Sequence, residues 1–404
     1  MVSWDRSHET VLIRVEAILV KYMMGVNMVN LAFIGCGNIS VDHLQGLFEL
    51  KQLGRNPFEL TAVCDIQRER AENFSKEVES RFGTIPRIYT DYREMLEKEE
   101  LTAVSVLLSH DLHHTITEDC FAAGVHVQMQ KPLAISPSFG RKMLADAEKY
   151  NRVLTVSEPI VLGAEAVAVA RAVKDGLIGP VHLTIDYAAT TEVTERGFFG
   201  GTPWRHMKGK AGAGWINDHG VHHAHMFTEI NGSIKEIFAY TEIFEKELTD
   251  GKVTIQPTGE DTAVTVFRFE NGGLGHWMCA SAVHGERTNG TWFYGGKGCL
   301  RPGKHVSLDG GKVITMRELV EKYAQDVVEN PFAHSYVELA EAIMDGKKPI
   351  SSAEKGLEAL SVVFAALESA TIGQPVKVQD ILDGKKHTYE DTVIKEMEAL
   401  KARL

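Results

Sequence analysis

The 404-residue sequence predicts an α/β fold in which a doubly wound parallel sheet is followed by an α+β region with a large open, mostly antiparallel sheet. Between Met28 and Ser157, short β-branched runs alternate with longer helical patterns, which is typical of βαβ units. Between Val181 and Met316, most segments alternate apolar with polar residues, which is typical of antiparallel strands. The length also exceeds the size at which one hydrophobic core usually stops growing, so two domains are expected.

Strands of the first region are expected to be apolar on both faces, because helices cover both sides of a parallel sheet. The predicted strands are Val29–Ile34, Leu60–Cys64, Ala103–Leu108, Val125–Met129 and Val153–Val156. Helices predicted between them are Ile39–Leu53, Arg68–Arg81, Tyr92–Glu97 and Ile116–Ala123.

The second region is predicted to form a single sheet whose strands are separated by glycine-rich turns. Its predicted strands are His182–Tyr187, Ile234–Ile243, Ala263–Phe269, Leu274–Ser281 and Thr291–Tyr294. Helical patterns return at Pro331–Met344 and Ala353–Thr371. One face of such a sheet packs on its own helices and the other face must be covered, so we predict a homo-oligomer that forms through the open sheet.

These patterns divide the chain into an N-terminal extension (residues 1–27), a dinucleotide-sized first domain (28–157) and a second domain (158–404). The extension contains an apolar stretch, Val11–Val20, that could be mistaken for an export signal. Charged residues interrupt the stretch and no small-residue cleavage pattern follows it. It is interpreted as a helical extension or a cloning artefact without a catalytic role.

Composition and charge exclude several classes of protein. With 43 basic and 55 acidic residues the net charge is −12, which repels a nucleic-acid backbone, and no basic patch offsets it. No stretch approaches the roughly 18 consecutive apolar residues of a membrane span. The five cysteines form no C-x-x-C pair, which argues against a disulfide framework and a thiolate zinc site and favours the reducing cytoplasm.

A glycine-rich turn, G-C-G-N-I-S, follows the first predicted strand directly. Gly35 permits the tight turn, and Gly37 lets the main chain approach a pyrophosphate at the N-terminus of the helix that Asn38 and Ile39 open. Ser40 replaces the third glycine of the usual pattern but is small enough for helix and strand to pack. The turn therefore predicts a dinucleotide-binding Rossmann domain.

The next predicted strand ends at Asp65, whose carboxylate is suited to accept hydrogen bonds from the adenosine ribose while repelling a 2′-phosphate. NAD is therefore predicted as the cofactor. NADP stays a less favoured alternative, since Arg68 is near enough to tolerate a phosphate.

Two later segments carry a family resemblance. Residues 123–134 (A-G-V-H-V-Q-M-Q-K-P-L-A) and 212–222 (G-A-G-W-I-N-D-H-G-V-H) resemble motifs of the glucose-fructose oxidoreductase / inositol dehydrogenase / rhizopine catabolism (Gfo/Idh/MocA) family. The likeness extends from Val29 to about Val378. It implies a Rossmann domain, an open-sheet second domain, and oxidation or reduction of sugars, cyclitols or glycosides.

By this resemblance Lys131, Asp218 and His222 take the positions of the family's catalytic trio. The positions that usually surround the dinucleotide are matched by Gly35, Gly37, Asp65, His113, Gln130 and Lys131.

Three positions depart from the family pattern. Gln130 replaces a glutamate, and His225 stands where an aspartate is common. An arginine often found after the sixth strand is replaced by Glu158, so the substrate contacts are expected to differ from those of inositol dehydrogenases.

The trio suits the removal of a hydride from a carbinol carbon, which requires a base for the hydroxyl proton. An imidazole such as His222 has an ordinary pKa near 6.5 and transfers protons well at neutral pH. Lys131 can stabilise negative charge on the same oxygen. If the segment is helical, Asp218 lies on the same face as His222 and either orients the ring or binds a sugar hydroxyl. The alternative is a helix cap and a core histidine.

Aromatic and polar residues near the second motif are candidate substrate contacts, because an indole stacks on pyranose carbons and a guanidinium donates to hydroxyls. With Glu158, the candidates are Trp204, Arg205, His206 and His223. A surface turn after Pro203 is the alternative for the first three of these. The cluster of histidines here lacks an H-E-x-x-H motif and a cysteine partner, so no metal is predicted.

The leading functional hypothesis is therefore NAD-linked oxidation of a secondary ring hydroxyl, with the 3-hydroxyl of a glycoside as one option. A second hypothesis keeps NAD but makes the reaction redox-neutral: oxidation, elimination of a leaving group, and reduction by the same NADH. A third is a non-catalytic dinucleotide sensor.

Overall fold

The computed structural model describes residues 28–402, so the predicted extension at residues 1–27 lies outside the described residues. Within that range the strands form a six-stranded parallel sheet, a nine-stranded mostly antiparallel sheet and a small two-stranded ribbon. Both parts of the predicted fold class are therefore confirmed.

The first sheet has the strand order β3-β2-β1-β4-β5-β6, and all of its pairs are parallel. The strand order reverses between β1 and β4, which places a crevice at the carboxyl ends of these two strands. The strands are β1 (Val29–Ile34), β2 (Phe58–Cys64), β3 (Arg87–Tyr89), β4 (Ala103–Val106), β5 (His126–Gln130) and β6 (Leu154–Ser157). Helices on both faces are α1 (Asn38–Gln52), α2 (Arg68–Phe82), α3 (Tyr92–Lys98), α4 (His113–Ala122) and α5 (Pro137–Tyr150).

The second sheet has the order β16-β15-β14-β13-β7-β12-β11-β8-β17. Its pairs are antiparallel except for β7 and β12, which run parallel. Its strands are β7 (Val181–Ala189), β8 (Ile234–Glu242), β11 (Thr262–Phe269), β12 (Leu274–Ala280), β13 (Thr288–Gly295), β14 (Gly298–Arg301), β15 (His305–Leu308), β16 (Val313–Thr315) and β17 (Val376–Lys377). The ribbon pairs β9 (Leu248–Thr249) with β10 (Thr254–Ile255).

The second region also contains helices, several of which pack on one face of this sheet. They are α6 (Pro159–Leu162), α7 (Ala164–Lys174), α8 (Glu192–Arg196), α9 (Lys208–Ala211), α10 (Trp215–Asp218), α11 (Gly220–Asn231), α12 (Met316–Tyr323), α13 (Pro331–Asp345), α14 (Ala353–Ile372), α15 (Val378–Leu382) and α16 (Thr388–Lys401). Short 3₁₀ turns are His110–Leu112, Phe199–Gly201, Pro203–His206 and Asp309–Gly311.

The two faces of the large sheet differ in their surroundings. In β11, Phe267 points inward and stacks on Phe227 of α11 with ring centroids 5.5 Å apart. Its neighbour Val266 points outward and is 53% exposed. Further exposed apolar side chains of adjoining outward positions are Tyr240, Val264 and Leu274. Among residues 28–402, these outward apolar side chains are therefore not covered by another element.

Helix α13 packs on the first sheet although the predicted domain boundary assigns it to the second domain. Its Tyr336 is fully buried, stacks near Phe33, and contacts His43 Nδ1 and Ser105 Oγ at 3.0 Å each. At Gly46 an added Cβ would lie 2.6 Å from the backbone N of α13, so the two helices touch. The domain bounds stay a prediction, but the first sheet depends on a helix from the far end of the chain.

No helix among residues 28–402 has the length and apolar character needed to cross a bilayer. All five cysteines are unpaired.

Candidate active site

The glycine turn joins β1 to α1 at the crevice of the first sheet. Gly35 has φ +102°, and a Cβ added to it would lie 2.4 Å from Leu107 O. Its N–H donates to Cys64 O at 2.8 Å. Glycine is therefore required at this position by the protein itself, independently of any ligand.

Gly37 differs, because a Cβ added there would meet no atom within 4 Å. Gly37 is the N-cap of α1, and among residues 28–402 no side chain caps the first N–H groups of this helix, around the exposed Asn38 and the half-buried Ile39. Ser40 Oγ donates to Gly37 O at 2.6 Å, which fixes the buried serine in place of the third glycine. Such a cradle fits a pyrophosphate.

Asp65 lies directly beside this turn at the end of β2. Its carboxylate accepts a hydrogen bond from Cys36 N at 3.0 Å and another from Gln67 N at 2.8 Å. The nearby Arg68 is exposed and paired with Glu72 at 2.9 Å. A fixed carboxylate with an engaged arginine fits a dinucleotide that carries free ribose hydroxyls.

Two further residues predicted near the dinucleotide make contacts with the polypeptide. His113 is buried, with Nδ1 3.0 Å from Pro132 O and Nε2 3.2 Å from Leu108 O. Gln130 Oε1 accepts from Lys131 N at 2.7 Å. Both side chains therefore shape the loops around the crevice.

Lys131 follows β5 and reaches across to the second region. Its Nζ donates to Asp218 O at 2.6 Å and lies 3.6 Å from Asp218 Oδ1. The structure therefore brings together two members of the predicted trio that are separated by 87 residues in the chain.

Asp218 is a buried carboxylate surrounded by nitrogen atoms. Arg205 Nε lies 3.3 Å from its Oδ1 and His110 Nε2 lies 3.8 Å away. Burial alone would raise the pKa of Asp218, but the charges of Lys131 and Arg205 outweigh burial and hold the pKa well below its ordinary value. The carboxylate is therefore ionised and counterbalances the cations around it.

His222 contacts a different carboxylate. Its Nδ1 is hydrogen-bonded to Glu158 Oε1. Burial lowers the pKa of His222 below its ordinary value, against the opposing effect of Glu158. At neutral pH the ring is uncharged, and because a carboxylate only accepts hydrogen bonds, the ring proton lies on Nδ1.

The expected single helical face does not form. Helix α10 ends at Asp218 and α11 begins at Gly220, where an added Cβ would lie 2.5 Å from the Trp277 ring. The ring of His222 is oriented by Glu158 rather than by Asp218. The pairing of Ser157 with Gln130 places Glu158 next to Lys131, but the contact of Glu158 with His222 is seen only in the tertiary structure.

The candidate substrate residues divide into two groups: Trp204 and Arg205 lie beside the Asp218 cluster, whereas His206 and His223 contact other parts of the protein. The Arg205 guanidinium stacks over the Trp204 ring at 4.5 Å, and Trp204 lies edge-on to His110 at 5.0 Å, so both border the cluster. His206 is buried and its Nε2 accepts from Phe199 N at 2.9 Å. His223 Nδ1 lies 2.8 Å from the buried Asp186 carboxylate on β7.

Sequence reasoning missed a connection between the two regions beside the site. Lys210 Nζ lies 2.7 Å from Asp111 Oδ2, and His110 Nδ1 lies 3.0 Å from Ala211 O. These contacts fix the loop after β4 against α9, and only the tertiary structure reveals them. In the described part of the chain, no three His, Cys, Asp or Glu side chains converge to hold a metal ion.

Comparison with known proteins is consistent with this architecture. Residues 29–158 match the family profile described as an oxidoreductase family with an NAD-binding Rossmann fold, and residues 166–301 match the GFO/IDH/MocA C-terminal domain. The chain is 25% identical to D-apiose dehydrogenase of Paraburkholderia graminis over 87% of this chain and 90% of that protein. It is 24% identical to D-glucoside 3-dehydrogenase of Escherichia coli over 89% of this chain and 100% of that protein.

Among solved structures, an oxidoreductase from Thermotoga maritima aligns with a TM-score of 0.72 and 25% identity, covering 88% of this chain and 99% of the other. The two family profiles together span most of the chain and match both predicted regions in order. The resemblance stated from the sequence is confirmed: the protein belongs to the Gfo/Idh/MocA family of oxidoreductases.

Proposed function

We propose that this protein is an NAD-dependent dehydrogenase that acts on a secondary ring hydroxyl of a sugar, cyclitol or glycoside. The observation that carries the proposal is the contact of Lys131 Nζ with Asp218 at 2.6 Å, because it joins the edge of the nucleotide sheet to the segment that carries His222. The amine of Lys131 follows β5 and the glycine turn follows β1, so both lie at the carboxyl ends of strands in the same parallel sheet.

The dinucleotide would be held by the backbone of Gly35 and Gly37, the N-terminus of α1 at Asn38 and Ile39, and the carboxylate of Asp65. When bound, NAD supplies the acceptor for the hydride. The preference for NAD over NADP is supported by Asp65, whose fixed negative charge repels a 2′-phosphate.

The protein's own groups manage the proton and the charge. His222 Nε2 makes no hydrogen bond within residues 28–402, so its lone pair is free to take the hydroxyl proton. Lys131 donates to the same oxygen and stabilises the negative charge that develops on it. Asp218 keeps Lys131 and Arg205 in place.

The substrate class is supported by the side chains that border the cluster and by the relatives. The Trp204 ring offers a stacking surface and Arg205 offers donors for hydroxyl groups. Two relatives are named for D-apiose and for a D-glucoside oxidised at position 3. We accordingly place the 3-hydroxyl of a glycoside first among the candidate positions.

The test is a panel of sugars, cyclitols and glycosides with NAD, following the absorbance of reduced nicotinamide and identifying the ketone product. Lys131→Ala and His222→Ala should each retain NAD binding but lose turnover. Lys142→Ala, which removes an exposed lysine paired with Glu118 and Asp146, is the matched control and should be active.

Each alternative predicts a different result. If both site variants keep the full cellular function, the protein is a sensor. If a glycoside is cleaved without added NAD and without net NADH, the redox-neutral reaction is correct. A cytoplasmic location remains a prediction from the unpaired cysteines.

We further propose that the outer face of the large sheet forms the contact in a homo-oligomer, supported by Tyr240 and Val266, which are 71% and 53% exposed. Val266→Glu should reduce the mass measured by light scattering to that of the protomer. Ile85→Glu is the control, because Ile85 is 68% exposed but lies near the edge strand of the other sheet. Equal masses for both variants would contradict this arrangement.

A further inference from the structure

Glu158 lies at the end of β6, where it is the N-cap of α6. Its side chain is 2% exposed, and its Oε1 accepts from Ile160 N at 3.3 Å. The same oxygen is hydrogen-bonded to His222 Nδ1. Two partners on one oxygen hold the carboxylate in place, and its burial keeps water away from it.

This contact determines which nitrogen of the imidazole carries the proton. An uncharged imidazole has one N–H and one lone pair. An ionised carboxylate accepts only, so Glu158 requires the proton on Nδ1 and leaves the lone pair on Nε2. Burial alone would raise the pKa of Glu158, but the electrostatic attraction of His222, its hydrogen bond and the charge of Lys131 outweigh burial and hold the pKa below its ordinary value, so the carboxylate is ionised at neutral pH.

Other groups face His222 without replacing this contact. Lys131 approaches from the end of β5, and Asp218 and His219 precede it on the connecting segment. His225 lies one turn further along α11, with Lys355 and Glu358 of α14 beside it. Among residues 28–402, the hydrogen bond to Nδ1 of His222 is made by Glu158.

We propose that Glu158 is a positioning residue that presents the Nε2 lone pair of His222 to the substrate hydroxyl, and that it does not bind the sugar. This inference rests on the proposed role of His222 as the base. It replaces the expectation that Glu158 contacts the substrate. When His222 takes the proton, the imidazolium forms against a carboxylate already in contact with it, so no side chain has to move.

The direct test is ¹⁵N NMR of the histidine rings in the protein without substrate or cofactor, with the His222 signals assigned by their loss in His222→Gln. Wild-type His222 should show the proton on Nδ1. In Glu158→Gln, the amide can donate to Nδ1, so the signals should move toward the form with the proton on Nε2. Glu368→Gln is the matched control, since Glu368 is also 2% exposed and accepts a backbone N–H, from Tyr389.

Kinetics separate positioning from sugar binding. Glu158→Gln should lower kcat by about 10- to 100-fold while KM stays within about threefold. The acid limb of the pH profile should move to lower pH, because Glu158 raises the pKa of His222. An increase of KM with kcat unchanged would show that Glu158 contacts the substrate and would overturn the proposal.

The two hypotheses fail in different ways. If wild-type protein oxidises no polyol, the proposed function is wrong, but the ring-proton measurement still decides the role of Glu158. If wild-type His222 carries its proton on Nε2, or if Glu158→Gln leaves its signals unchanged, the positioning role is wrong whatever the substrate. Thermal unfolding of Glu158→Gln and Glu368→Gln side by side separates a loss of fold from a change at the ring.

Discussion

The glycine turn and the cluster of Lys131, Asp218 and His222 form the two halves of the proposed active site by different physical means. The turn depends on its backbone. A side chain at Gly35 would collide with a carbonyl oxygen 2.4 Å from the added Cβ, whereas a side chain at Gly37 would enter the space proposed for the pyrophosphate. The cluster uses a lysine, a buried carboxylate and an uncharged imidazole that come from two distant parts of the chain. The comparison teaches that the first half depends on shape and the second on charge balance.

The largest expected effect tests the charge balance. Asp218→Asn keeps the size of the side chain but leaves Lys131 and Arg205 without their buried counter-charge. We expect kcat to fall by about 100- to 1,000-fold and the free energy of unfolding by about 3 kcal/mol. Steady-state kinetics and urea unfolding measure these values.

The control for this variant is Asp326→Asn, which breaks an ion pair with Arg171 whose side chains are 42% and 48% exposed. An exposed pair contributes less than about 1 kcal/mol. Equal losses in the two variants would mean that burial of the cluster has no energetic consequence, and the comparison above would fail.

The next effect separates the two glycines. Gly35→Ala must accommodate φ +102° and a contact of 2.4 Å with Leu107 O, so we expect a loss of about 3 kcal/mol in the free energy of unfolding. Gly37→Ala meets no atom and should lose less than about 1 kcal/mol. Its Cβ instead enters the cradle, so the Kd for NAD should rise by about tenfold or more. Tight NAD binding by Gly37→Ala would show that the pyrophosphate lies elsewhere.

A smaller effect concerns the choice between cofactors. Asp65→Asn keeps an oxygen to accept from Cys36 N but removes the negative charge. The ratio of kcat/KM for NAD over NADP should fall by about tenfold, which corresponds to 1.4 kcal/mol. Asp91→Asn, at the N-cap of α3, should leave the ratio unchanged.

The smallest effect is a displacement of the pH profile. Burial lowers the pKa of His222 below 6.5, so its ring stays unprotonated to a lower pH than a free imidazole. As pH falls through that lowered pKa, His222 gains a proton and kcat/KM decreases. The midpoint of the acid limb should therefore lie below 6.5, and a midpoint above 6.5 would contradict the burial of the ring.

Much of the glycine turn and its flanking strand could be predicted from the sequence, because their conformations depend on neighbouring residues in the chain. The first strand, Val29–Ile34, has the predicted bounds, since the four consecutive apolar residues Leu31–Ile34 directly before a glycine turn favour a buried strand. The β1–α1 turn follows from two glycines whose roles depend on the residues next to them.

For the cluster of Lys131, Asp218 and His222, the sequence predicts which residues belong to it but not which of them are in contact. The motifs indicate Lys131, Asp218 and His222, but no pattern states which carboxylate contacts the imidazole. Glu158 is 64 residues from His222 in the chain, and their contact exists because α11, which carries His222, packs against α6, the helix that Glu158 caps. The helix is interrupted before Gly220, which packs against the Trp277 ring. This tertiary contact cannot be read from the helical periodicity of the sequence.

Helix α13 has a consequence for how the protein is built and rebuilt. Its Tyr336 packs in the core beneath β1 and is hydrogen-bonded to His43 of α1. During synthesis, residues 28–157 therefore lack part of their hydrophobic core until the ribosome has made residue 345. A chimera that grafts the nucleotide-binding region onto another substrate region must therefore carry Pro331–Asp345 with it. Recombination at a single point after β6 would separate the nucleotide-binding region from α13, the helix that completes its core.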